Sequence, residues 1–107
     1  MKTLKFRPHL VEQILAGTKT VTWRLFDDKD LSVGDKVEFL NWETKEKFCE
    51  VEITAVKEKK LVEIEEADFN GHETFKDKEE MLQNYQNYYG EKVNWDTVVK
   101  IINFKML

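Results

Sequence analysis

The run Thr97–Lys105, T-V-V-K-I-I-N-F-K, constrains the fold more than any other stretch of the chain. It is rich in β-branched and aromatic residues, which favour strands. Successive side chains of a strand point to opposite faces, so the adjacent Ile101 and Ile102 make both faces apolar. Such a strand needs cover on both sides. It fits a strand that closes a small barrel, with a further layer packed outside.

The rest of the chain supplies that barrel in short pieces. Thr3–Phe6 alternates polar and apolar residues and reads as a strand. Pro8 sits where a first helical residue belongs, because its missing N–H costs nothing there. Leu10, Val11, Ile14 and Leu15 then share a helical face, and Gly17 closes the helix. A strand Thr20–Leu25 follows. Phe26–Leu31, with Asp27, Asp28 and Asp30, reads as an exposed loop, and Ser32–Asp35 as a turn. Lys36–Leu40 is a strand with Val37 and Phe39 on one side. Asn41–Glu46 is a hairpin connection around Trp42. Lys47–Val56 is a half-buried strand with Cys49, Val51, Ile53 and Ala55 on its apolar face. Lys57–Lys60 reads as a charged turn, Leu61–Phe69 as a short helical turn or, with Val62 and Ile64, a short strand, and Asn70–Glu73 as a loop. Asp77 and Glu80 resemble a capping box for a helix Lys78–Tyr89, which Gly90 ends. That helix is expected to turn Met81, Leu82, Tyr85 and Tyr88 or Tyr89 inward. Strands do not alternate regularly with helices, which argues against a parallel α/β sheet. The expectation is an α+β fold: one domain, residues 1–107, built as a small mixed, mainly antiparallel barrel with two principal helices outside.

Charge narrows the ligand. The net charge is −4, but residues 1–24 carry +4 and the other 83 carry −8. An acidic protein is a poor binder of long phosphate backbones. A small neutral or singly charged ligand suits it better, with a local basic face near the N-terminal segment. The single cysteine, Cys49, has no partner for a disulfide or a zinc site, and it falls on the apolar face of its strand. No stretch approaches transmembrane length and Met1–Leu10 lacks a signal-peptide core, so the expectation is a soluble, cytoplasmic protein without a membrane partner.

Chemistry-bearing patterns are few. The four glycines include no G-x-G loop for phosphate. No spacing suits a metal, and no cofactor is expected. His9 reads as an exposed residue at a helix start, and His72 as a loop histidine beside Glu73 without a catalytic task. Ala16–Arg24, A-G-T-K-T-V-T-W-R, is different: a turn glycine, a lysine, hydroxyls and an arginine crowd together. Strand periodicity puts Thr20, Thr22 and Arg24 on one face, with Lys19 in the turn before them. A threonine hydroxyl is a weak nucleophile until a base takes its proton. A lysine amine, ordinarily protonated up to about pH 10.4, must be pushed down by roughly 4 kcal/mol to be that base at neutral pH. Burial near the like charge of Arg24 supplies both causes of such a shift. Arg24 can also face a developing oxyanion. Strict alternation turns Lys19 away from Thr22, so the Gly17–Lys19 turn must bring the amine round. The same residues also fit a polar strand edge with a solvated lysine.

The sequence resembles the ASCH family, relatives of the PUA-like barrels, and within it the small bacterial N(4)-acetylcytidine amidohydrolases of the YqfB type. L-A-G-T-K-T-V-T-W-R at Leu15–Arg24 looks like the family's L-x-G-x-K-T-x-T-x-R. The likeness continues in V-G-D at Val33–Asp35, F-C-E-V-E-I-T-A at Phe48–Ala55 and I-N-F-K-M-L at Ile102–Leu107. It implies a catalytic lysine, threonine and glutamate without a metal. The first two fall on Lys19 and Thr22, and the family arginine on Arg24. The glutamate falls on Glu73, with Glu63, Glu65 and Glu66 as alternatives. The implied substrate is an N-acylated pyrimidine nucleoside. The second possibility is an RNA-binding module or ribonuclease taking single-stranded RNA or a modified base in the same cleft, with Trp23, Trp42, Tyr85 and Tyr88 as stacking aromatics. A monomer or weak dimer is expected.

Overall fold

The computed structural model describes residues 1–27, 29–72 and 74–107. Five strands form one curled half-barrel sheet: β1 (Lys2–Phe6), β2 (Val21–Leu25), β3 (Lys36–Asn41), β4 (Lys47–Lys60) and β5 (Val98–Met106). Their order is β1-β3-β4-β5-β2. The β1–β3 pair is parallel, and the other three are antiparallel. Helix α1 (Pro8–Ala16) follows β1, and α2 (Lys78–Tyr89) precedes β5. The expected α+β architecture is therefore the observed one.

The doubly apolar strand does what its sequence asks. Ile102 and Phe104 join Leu4, Phe6, Val37, Phe39, Val51 and Ile53 in one core, which α1 seals with Val11 and Ile14. Val99 and Ile101 face the other way, onto a second core with Val21, Trp23, Leu25, Leu61 and the α2 residues Met81 and Tyr85. One sheet thus separates two cores, each covered by a helix.

Local chemistry fixes the helix ends. Gly17 adopts φ 81°, and the N–H groups of Gly17 and Thr18 return to the carbonyls of Ile14 and Gln13. That is the left-handed glycine stop of a helix. At α2 the Asp77 carboxylate accepts from the Glu80 N–H at 2.8 Å, while the Glu80 carboxylate accepts from Lys76 rather than from Asp77. Asp68 ties the segment before α2 to the sheet. It takes the Lys57 and Lys59 ammonium groups at 2.9 Å each and the Glu65 N–H at 2.8 Å. Burial opposes its ionisation, yet the Glu65 N–H and the two lysines hold its carboxyl down to about 2.

Four local expectations are corrected. Lys57–Lys60 is not a turn; these residues extend β4 and pair with Val98–Ile101 of β5. Ala55 is exposed, because the β4–β5 register shifts between Ile53 and Ala55 and breaks the alternation. Leu15 is 52% exposed, since the short apolar stripe of α1 is filled by Leu10, Val11 and Ile14. Phe26–Leu31 is not wholly exposed. Asp27 accepts the N–H groups of Lys29 and Leu31, and the resulting bend carries Leu31 into the barrel core. Asp28 of that loop lies outside the described residues. No helix among the described residues is long and apolar enough to cross a membrane.

Candidate active site in the barrel seam

The sheet is open between its edge strands β1 and β2, and side chains bridge the gap. Arg24 of β2 donates from Nη2 to the Lys5 carbonyl of β1 at 3.2 Å, and its guanidinium lies 4.9 Å from the centre of the Phe6 ring. Lys29 donates to the Thr3 carbonyl. A cleft of about 320 Å³ occupies this seam. That volume sits near the lower end of the range for small-molecule sites, about 300–1,000 Å³.

Lys19, Thr22 and Arg24 all line this cleft. Lys19 precedes β2, and its N–H joins those of Gly17 and Thr18 in closing α1. Its side chain folds back beneath the strand, where Nζ donates to the Val21 carbonyl at 2.8 Å. Only 2% of Lys19 is exposed, and only 4% of Thr22. The lysine is therefore a buried residue and not a solvated one. Thr20 is outside the cleft and exposed, and its N–H bonds to the Gly71 carbonyl at 2.8 Å. Glu73 lies outside the described residues. None of its alternatives lines the cleft. The Glu63 carboxylate instead caps the Lys60 N–H at 2.9 Å.

The loop before Glu73 docks directly on the motif. The Gly71 carbonyl accepts from both Thr20 and Val21, and Gly71 has φ 78°. A Cβ added there would run into the Thr20 hydroxyl. This docking buries His72 and stacks its ring on Trp23, with centroids 4.2 Å apart and planes within 16°. His72 therefore belongs to the cleft, which its local sequence did not indicate. Tyr85 stacks near Trp23 at 6.2 Å, and Phe75 meets Tyr85 edge-on at 6.0 Å. Tyr85 and Trp23 thus serve the second core and the cleft together.

The described lining is basic. Lys5, Arg7, Lys19 and Arg24 line the cleft with His9 and His72, and no Asp or Glu among the described residues joins them. Burial lowers the pKa of the Arg24 guanidinium, with Tyr89, Tyr85 and Asp27 pulling the other way. Trp23 Nε1 and Arg24 Nε are buried without a hydrogen-bond partner among the described residues. Each such donor costs about 1–3 kcal/mol until an acceptor arrives. Among the described residues, no three His, Cys, Asp or Glu side chains group as metal ligands would.

Arg24 also borders a second hollow, of about 560 Å³, lined by Phe26, Asp27, Asp30, Glu58, Val98 and Lys100. There two part-buried charges pair, with Lys100 Nζ 2.8 Å from the Asp27 carboxylate. Burial opposes Asp27 ionisation, but Lys100 and the N–H groups of Lys29 and Leu31 hold its pKa below the ordinary value.

Solved structures share this architecture. An ASCH domain from Lactobacillus crispatus JV V101 superposes with a TM-score of 0.69 at 21% identity, over 90% of this chain and 69% of that one. A protein of Enterococcus faecalis V583, described as DUF984, gives a TM-score of 0.76 at 16% identity, over 92% and 70%. A protein of Pyrococcus furiosus gives 0.68 at 24% identity, over 99% and 96%. The chain therefore has the fold of the ASCH domain. No family model matches the sequence, and no curated protein matches it.

Proposed function

We propose that the seam cleft is an amidohydrolase site for N(4)-acetylcytidine or a related N-acylated pyrimidine nucleoside. One observation carries the reading: a fully buried lysine shares a nucleoside-sized cleft with a buried threonine and a desolvated arginine. In the proposed reaction Lys19 takes the Thr22 proton, and the Thr22 oxygen bonds to the acyl carbon. Arg24 faces the oxyanion that forms. The carbon–nitrogen bond then breaks, and Glu73 gives its proton to the leaving amine. Water next attacks the Thr22 ester, losing a proton to the Glu73 carboxylate. Thr22 leaves with the proton from Lys19, and the free acid departs. No step requires a metal. The stacked pair Trp23–His72 lines the cleft and supports the reading of a flat-ring site.

A second reading has its own support. Trp42 and Tyr88 stay 47% and 49% exposed at the cleft mouth, as stacking platforms for single-stranded RNA would be. The −8 balance outside residues 1–24 weighs against long strands.

The test is release of cytidine from N(4)-acetylcytidine by the purified protein and by Thr22→Val, Lys19→Met and Glu73→Gln. Loss of general acid or base help should lower kcat by about 10²–10⁴-fold. Thermal melts check that the variants fold. Full activity in all three variants would refute the roles. An inactive but folded parent protein would refute the substrate.

A further inference from the structure

We propose that the mouth of the cleft is a phosphate subsite, so that the preferred ligand is a nucleotide and not a bare nucleoside. This deepens the reading of the floor as a nucleoside site and rests on it. The mouth is built around the exposed Trp42. Lys5 Nζ lies 5.8 Å from that ring, the Arg7 guanidinium 5.7 Å and Lys45 Nζ 4.6 Å. Arg7 is held in place from the other side as well. It stacks 5.1 Å from the Tyr88 ring and donates from Nε to the Tyr88 hydroxyl at 3.1 Å. Its two terminal nitrogens make no hydrogen bond among the described residues, and a guanidinium offers paired donors that suit a phosphate.

Crowding on one ring sets Lys5 and Arg7 apart from the paired lysines of the chain. Lys2, Lys47, Lys57, Lys59 and Lys100 each sit against a carboxylate at 3.0 Å or less. Lys5 and Arg7, which line the cleft, approach one ring and ion-pair with no carboxylate among the described residues, while Lys45, outside the lining, donates to the Trp42 carbonyl. Like charges brought together repel, and a bound anion removes the repulsion. The positive end of α1 opens at the same place, with no side-chain cap. Floor and mouth adjoin through one residue: the Lys5 carbonyl accepts from Arg24 below, while its amine sits by Trp42 above. A base on the floor therefore leaves its 5′-phosphate among these cations.

The experiment has a binding arm and a reaction arm. Cytidine and cytidine 5′-monophosphate are titrated against the intact protein by tryptophan fluorescence, at low and high salt. The monophosphate should bind at least about tenfold more tightly at low salt, with the advantage shrinking as salt rises. In the double variant Lys5→Gln/Arg7→Gln the ratio should fall to near one. Both residues are exposed, so the variant should fold, and its melt checks this. Equal binding of the two ligands, no binding of either, or an advantage that survives in the variant overturns the subsite. A cytidine-containing tetranucleotide distinguishes the source of the phosphate. Binding tighter than the monophosphate, with steeper salt dependence, upholds the subsite and assigns it to an RNA strand. Weaker or equal binding upholds it for the mononucleotide. The reaction arm compares N(4)-acetylcytidine with its 5′-monophosphate. Cleavage of both at one kcat/KM sinks the subsite and leaves the hydrolase standing. Phosphate-dependent binding without cleavage does the reverse.

Discussion

Two hollows meet at Arg24, the seam cleft on one side and the wider hollow beside Phe26 on the other. Their described linings differ in charge. In the wider hollow Asp27 answers Lys100, and two backbone N–H groups complete the carboxylate. In the cleft Lys5, Arg7, Lys19 and Arg24 meet no Asp or Glu among the described lining residues. The paired side reads as structure, because its bonds hold the bend that buries Leu31. The cleft side holds two buried donors, Trp23 Nε1 and Arg24 Nε, without an acceptor among the described residues, and such donors weaken a fold until an acceptor completes them.

Substitutions on either side of Arg24 test the two roles separately. The largest effect should come from the cleft: Thr22→Val removes the proposed nucleophile and should lower deacylation by at least about a hundredfold with little change in Tm. Gly71→Ala should come next. Its Cβ meets the Thr20 hydroxyl in a left-handed conformation, so the loop must lift from β2. A loss of about 2 kcal/mol in urea unfolding is expected, together with a reduced kcat. A neutral result would show that the docked loop is not needed. The smallest effect belongs to Asp27→Asn. It should cost about 1–2 kcal/mol, because Lys100 loses its charged partner, while kcat/KM changes less than about threefold. The sign with pH follows from the depressed pKa of Asp27. Its contribution is present above the unfolded pKa of about 4 and is lost as pH falls through the folded value. Acid unfolding of Asp27→Asn should therefore lose part of the slope seen in the parent protein.

How much of this was legible in the sequence depended on how local its cause is. The glycine stop at Gly17, the bounds of α2 and the two-faced strand around Ile101 and Ile102 follow from neighbours in sequence. The end of β4 does not. Lys57–Lys60 carries only charged residues, and only its backbone pairing with β5 makes it a strand. The site divides the same way. Lys19, Thr22 and Arg24 lie in one motif and reach one cleft. Lys5, Arg7 and Trp42 come from β1, the start of α1 and the β3–β4 turn, and no linear pattern joins them. His72 had no local signature, because its burial comes from the Gly71 carbonyl docking on Thr20 and Val21.

In the proposed reaction Thr22 carries the acyl group. The direct measurement is mass spectrometry of the peptide containing Thr22, taken from acid-quenched turnover of N(4)-acetylcytidine. The predicted result is one acetyl group on Thr22 that forms with cytidine release and disappears on chase. Cytidine release at the parent rate by Thr22→Val, with no acetyl on that peptide in the parent protein, would contradict it.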